Sequence, residues 1–160
     1  MGRLHLSLLG GFQARLDLGP PLLLPAKAQA LLAYLAIRPG RTHPRDKLAA
    51  LLWGGTGDGQ ARSNLRHTLF DIRQAIRDVS PAPLVIEGKT VALELGAHDT
   101  DVLALERLVA EGTPAALEQA VALYQGDLLE GLSVDEPPYE EWLLAERERL
   151  REVSSGGDGG

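Results

Sequence analysis

Residues 61–79 (A-R-S-N-L-R-H-T-L-F-D-I-R-Q-A-I-R-D-V) constrain this chain more than any other stretch. Leu65, Leu69, Ile72 and Ile76 recur at four, three and four residues, a spacing that gathers them into one apolar stripe of a helix. Arg62, Asn64, Arg66, His67, Arg73 and Arg77 lie off that stripe. Such a helix is clamped to a small core along one face. Its other face presents guanidinium and amide groups, which reach the phosphates and base edges of a duplex. The pattern predicts a DNA recognition helix. A surface helix whose basic side is merely solvated would look the same in isolation, so the neighbouring elements decide.

Residues 4–9 and 12–18 alternate apolar and polar around Gly10-Gly11 and predict two short strands, with a third at residues 22–24 after the Gly19-Pro20-Pro21 turn. Strands this short need a helix over one face. Pro25 opens a first helix with Ala28, Leu31, Leu32 and Leu35 inward, and Pro39-Gly40 stops it. Pro44 opens a second, capped by His43 or Thr42, with Asp46 in its first turn and Leu48, Leu51, Leu52 and Trp53 along its apolar edge. A Gly-rich connector at residues 54–59 leads to the basic helix, which Pro81 and Pro83 end. Residues 84–86 and 91–93 then predict a β-hairpin turning tightly at Gly88-Lys89. Two helices, a basic third helix and a hairpin wing make a winged helix-turn-helix.

The texture changes after Leu95. Asp99-Thr100-Asp101 caps a helix with Val102, Leu105, Leu108 and Val109 on one side and Gly112 at its end. Thr113-Pro114 starts another, with Leu117, Ala120, Val121 and Tyr124 inward. Gly126 and Gly131 bracket a turn around Leu128-Leu129, and Pro137-Pro138 opens a last helix over residues 139–153, with Trp142, Leu143 and Leu150 on its apolar side. Helices paired by short turns predict the start of a helical-repeat layer. The expected fold class is α+β: a winged helix-turn-helix with a small N-terminal β-sheet over residues 1–96, an all-α, helical-repeat-like segment over 97–153, and a disordered Gly/Ser tail over 154–160.

The net charge of −6 hides a split. Residues 1–95 carry 12 Lys/Arg against 7 Asp/Glu, a net +5, and residues 96–160 carry 4 against 15, a net −11. Such asymmetry predicts two modules with different partners. There is no apolar run of about eighteen residues for a membrane span. Residues 1–6 lack the apolar stretch and cleavage site of a secretory signal. Cysteine is absent, which excludes disulfides and thiolate metal sites and fits a reducing cytoplasm. His5, His43, His67 and His98 share no ligand spacing, so no metal is expected. Gly88-Lys89-Thr90 is no phosphate loop, because Pro83 stands where that motif needs its first glycine and a strand follows instead of a helix. No serine sits in a nucleophile elbow, and Glu140-Glu141 and Glu146/Glu148 read as a solvated acidic face. Neither an enzyme nor a cofactor is expected.

Several segments carry a resemblance. They are Leu8-Leu9-Gly10-Gly11-Phe12, the run Pro25-Ala26-Lys27-Ala28-Gln29-Ala30-Leu31-Leu32-Ala33-Tyr34-Leu35, Pro39-Gly40, Leu51-Leu52-Trp53 and Asn64-Leu65-Arg66. Together they resemble the DNA-binding domain of the Streptomyces antibiotic regulatory protein (SARP) family, an OmpR-type winged helix. Asp101-Val102, Leu123-Tyr124-Gln125-Gly126-Asp127-Leu128-Leu129-Glu130-Gly131, Glu141-Trp142-Leu143 and Glu146-Arg147-Glu148-Arg149-Leu150 resemble the TPR-like bacterial transcriptional activator domain that follows it. In that family the helical domain usually continues further, so the resemblance implies a partial one here. It also implies an activator that binds short direct repeats near a promoter and recruits RNA polymerase. The third helix would enter the major groove and the wing would touch the backbone or minor groove.

The candidate DNA-binding residues are Arg62, Ser63, Asn64, Arg66, His67, Arg73, Gln74 and Arg77 on the third helix, Lys89 at the wing tip, and Arg41, Arg45 and Lys47 around the start of the second helix. Arg62, Ser63 and Asn64 sit near a helix N-terminus, where backbone N–H groups favour a phosphate. For each residue the competing reading is a solvated side chain. Asp71 is read as pairing with a neighbouring arginine, and Trp53, Tyr139 and Trp142 as core. The expected function is sequence-specific binding of double-stranded promoter DNA. The acidic half would be a protein-contact surface, either for a second copy in a homodimer or for the transcription machinery. The alternative is a protein–protein adaptor built on a winged helix that does not bind DNA.

Overall fold

A computed structural model describes residues 3–96 and 98–156. Strands β1 (Leu4–Ser7) and β2 (Gln13–Leu16) form an antiparallel hairpin in the register Leu4↔Leu16 to Ser7↔Gln13. No third strand forms at residues 22–24. The physical reason is local: Pro20 and Pro21 offer no backbone N–H to a ladder. What remains is an isolated Arg15–Pro21 bridge and one bond from Leu22 N–H to the Ala14 carbonyl, 2.7 Å. The helix that covers this hairpin comes from the far half of the chain, because β1 packs on α4 (Asp101–Glu111) and Leu6 bridges to Thr100.

Helix α1 (Ala26–Ile37) follows Pro25 and is buried nearly all round, since Ala30, Ala33 and Ala36 join Ala28, Leu31, Leu32 and Leu35 out of solvent. His43 and Pro44 do not cap the next helix through a side chain. They form a two-residue strand, β3 (His43–Pro44), and α2 (Arg45–Trp53) starts directly after it. Proline lacks the N–H of a helix interior yet suits an edge strand, which explains the arrangement. Helix α3 (Asp58–Ala75) starts within the expected connector, taking in Asp58 and Gly59, and stops at the Ile76 C-cap rather than running to residue 79. Strands β4 (Leu84–Glu87) and β5 (Thr90–Leu93) make the wing, closed by a two-residue turn with Gly88 at φ +56°. β3 pairs with β5, giving the sheet order β3-β5-β4.

Thr100 caps α4 by accepting from Leu103 N–H at 3.0 Å, and Gly112 ends it in the left-handed conformation, φ +74°. Thr113 caps α5 (Pro114–Leu123) in the same way, accepting from Ala116 N–H at 3.1 Å. The inward face of α5 matches the expected one at Ala120 and departs from it at Val121. Ala116 and Ala120 are buried, Leu117 and Tyr124 are half-buried, and Val121 is 56% exposed. Small residues let α5 lie close on α4, which turns Val121 outward. Helix α6 (Pro137–Gly156) extends past residue 153, so Ser154 to Gly156 belong to it. The Ser154 hydroxyl donates to the Arg151 carbonyl one turn back, 3.2 Å, so the serine is accommodated within the helix. The rest of the expected tail, residues 157–160, lies outside the described residues.

The two halves share one hydrophobic core that runs from Leu4 to Leu150. Their seam is polar as well as apolar. The Asp101 carboxylate accepts from the backbone N–H of Leu8 and Leu9 at 2.9 and 3.0 Å. The Gly10 loop and the loop at Asp127 exchange bonds: Gly10 N–H to the Asp127 carbonyl at 3.0 Å, Glu130 N–H to the Gly10 carbonyl at 2.6 Å. Gly126 admits this approach, because a Cβ there would stand 3.2 Å from Gly10 Cα. Tyr139 is buried, and its hydroxyl donates to the Ala30 carbonyl in α1 at 2.7 Å.

Candidate nucleic-acid interface

Helix α3 has the two faces that its spacing predicts. Ala61, Leu65, Thr68, Leu69 and Ile72 are buried. Arg62, Arg66 and Arg73 are exposed, and separations of four and seven residues put them on one side. Asp58 in the first turn and Arg73 in the last both suit the helix dipole.

That side borders a cleft of about 680 Å³, lined by Pro44, Arg45, Asp46, Arg62, Leu65, Arg66, Gly88 and Lys89. Three elements form it: the start of α2, the exposed side of α3 and the wing turn. One backbone bond fixes the first against the third, because Arg45 N–H donates to the Lys89 carbonyl at 2.8 Å. A second depression of about 250 Å³ continues along α3, lined by Arg45, Arg66, Leu69, Phe70, Arg73 and Ile86. Arg45, Arg62, Arg66, Arg73 and Lys89 therefore converge on one concave strip. Among the described residues, Asp46 is the one carboxylate lining it, and none beyond Lys89 lines it.

The other candidates lie elsewhere. Ser63, His67 and Gln74 share the adjacent flank of α3, outside both depressions. Asn64 is half-buried on the far side, and its amide oxygen accepts from Gln60 Nε2 at 2.9 Å. Arg77 follows the C-cap of α3, with Nη1 3.4 Å from Gln74 Oε1. Arg41 and Lys47 are exposed on either side of His43 and line neither depression. Asp71 makes no ion pair among the described residues, contrary to expectation. Its neighbours at three and four residues are His67, Thr68, Gln74 and Ala75, so no arginine shares its side of the helix. Phe70 was not among the candidates, yet it is 59% exposed on the arginine side. Its signal in the sequence was an aromatic residue one position off the apolar stripe.

Ion pairing separates the candidate cations from those of the seam between the halves. Among the described residues, none of Arg41, Arg45, Lys47, Arg62, Arg66, Arg73, Arg77 and Lys89 makes an ion pair. Arg3, Lys27 and Arg38, which lie in the same half, are paired with Asp99, Glu136 and Glu146 across the seam. Behind the strip, His43 is 5% exposed, with its ring 5.3 Å from that of Tyr34 and its Nε2 without a hydrogen-bond partner among the described residues. Burial, then the nearby Arg41 and Lys47 charges, hold its pKa below the ordinary histidine value. Trp53 and Tyr139 are core, as expected, and half-buried Trp142 packs on Tyr34 and Tyr139 at ring distances of 4.7 and 5.1 Å. No group of three or more His, Asp or Glu side chains among the described residues could hold a metal ion. No described helix is long and apolar enough to cross a membrane.

The architecture is that of a winged helix-turn-helix joined to a helical segment. Among solved structures it is similar to Mycobacterium tuberculosis EmbR in complex with a low affinity phosphopeptide, with a TM-score of 0.80 and 23% identity. The match covers 96% of this chain and 44% of that one, so the chain spans less than half the length of that protein. At this identity the likeness shows the fold. No family model and no curated protein matches the sequence.

Proposed function

We propose that this chain is a sequence-specific DNA-binding transcription regulator of the Streptomyces antibiotic regulatory protein kind. One observation carries the reading: five cations from α2, α3 and the wing converge on one concave strip and have no carboxylate partner among the described residues. Such a strip suits a polyanion, and an exposed helix with arginines in register suits the major groove. Arg62 and Arg66 would reach base edges or phosphates, Arg73 the groove further along, and Arg45 and Lys89 the flanking backbone. The role is one of binding rather than catalysis. In the full reading the chain works in the cytoplasm as an activator, and the acidic second half contacts RNA polymerase or a second copy of the chain.

The test is selection from a pool of random duplexes. The wild-type chain should enrich a defined sequence, and the Arg66→Ala/Arg73→Ala variant should enrich none while keeping its circular dichroism spectrum. Failure of the wild type to retain any duplex would leave the adaptor role as the better account.

A further inference from the structure

Among the described residues, Phe70 is the one exposed large apolar side chain that shares a depression with arginines lacking an ion-pair partner. The apolar stripe of α3 is complete without it, since Leu65, Leu69, Ile72 and Ile76 are all buried. Phe70 stands beside that stripe, 59% exposed, three residues from Arg73 and four from Arg66. The depression it lines brings three apolar side chains, Leu69, Phe70 and Ile86, together with three cations, Arg45, Arg66 and Arg73. Val121, also exposed, makes a useful contrast: its depression is lined by Pro114, Leu117 and Glu118, with no cation.

A depression lined by apolar and cationic side chains together suits a ligand with an apolar knob on an anionic scaffold. The major groove of DNA supplies one such knob, the 5-methyl group of thymine, flanked by phosphates on both strands. RNA does not fit, because uracil lacks the methyl and the A-form major groove is too narrow for the helix. Resting on the DNA-binding reading above, we infer that Phe70 selects thymine at one position of the operator by packing on its 5-methyl group, with Arg66 and Arg73 holding the flanking phosphates or guanine edges.

The test begins with the duplex enriched by selection. Each thymidine is replaced in turn by deoxyuridine, which removes only the methyl, and affinity is measured by fluorescence anisotropy for the wild type and for Phe70→Ala. One replacement should weaken wild-type binding about fourfold, the worth of one buried methyl group. Phe70→Ala should bind the thymidine and deoxyuridine duplexes equally and keep the wild-type dependence on salt. Equal binding of every deoxyuridine duplex by the wild type would overturn the inference and leave the DNA-binding reading standing. So would a methyl sensitivity that survives in Phe70→Ala. Absence of salt-sensitive binding by the wild type would overturn both.

Discussion

Basic side chains behave in opposite ways in two regions of this molecule. Along the seam, Arg3, Lys27 and Arg38 of the first half meet Asp99, Glu136 and Glu146 of the second at 2.5, 3.2 and 3.7 Å. Those carboxylates are only 9%, 14% and 12% exposed, so each needs a partner. On the α3–wing strip, Arg62, Arg66, Arg73 and Lys89 are solvated and have no such partner among the described residues. The difference teaches which cations hold the fold together and which remain available to another molecule. It also explains how a chain of net charge −6 can carry a cationic surface: Asp99, Glu136 and Glu146 of the second half are engaged along the seam, and among the described residues no acid of that half lines the strip.

Breaking the seam should have the largest effect. Tyr139→Ala removes a buried ring and its bond to the Ala30 carbonyl, and should cost about 3–5 kcal/mol in a urea melt. Because the core is continuous, the loss should appear in a single transition. Two separate transitions would show that the halves are independent and weaken the contrast drawn here. On the strip, Arg66→Ala/Arg73→Ala should lower affinity for the selected duplex about a hundredfold. The same variant should shift stability by no more than about 0.5 kcal/mol, as befits exposed residues. Asp101→Ala should cost about 1–3 kcal/mol, because the N–H groups of Leu8 and Leu9 lose their acceptor.

The smallest effect concerns pH and sharpens the line between the regions. The folded state holds the His43 pKa down, so on acidification the unfolded chain takes up the proton first. The stability contributed by His43 is therefore complete above the ordinary value of 6.5 and is lost as pH falls from there toward the folded pKa. Thermal melts across that range should show the loss in the wild type and a smaller one in His43→Phe.

What the sequence made legible is local. The period of α3, the glycine of the wing turn and the caps Thr100 and Thr113 are each set by residues a few positions apart, and each is found where the pattern puts it. The seam was hidden because its partners are distant: Asp101 and Leu8 are 93 residues apart, and Tyr139 and Ala30 are 109. The runs Leu8 to Phe12 and Leu123 to Gly131 carried the family resemblance, yet nothing in either shows that they bond to each other through Gly10, Asp127 and Glu130. The misplaced details have similar causes. Pro44 reads as a helix start, and only its pairing with Thr90 reveals a strand. Val121 reads as inward until the small side chains of Ala116 and Ala120 are seen to bring α5 down on that side instead. Of the candidate site, α3 spacing found Arg62, Arg66 and Arg73. It could not separate them from Asn64, whose engagement with Gln60 depends on the face it occupies.

The salt dependence of duplex binding tests the central claim most directly. If Arg45, Arg62, Arg66, Arg73 and Lys89 each neutralise a phosphate, log K should fall with log salt at a slope of about −4 to −5. Arg66→Ala/Arg73→Ala should reduce that slope by about two. A slope near zero, or a double substitution that changes neither the slope nor the affinity, would contradict the claim that this strip of unpaired cations is the surface that meets DNA.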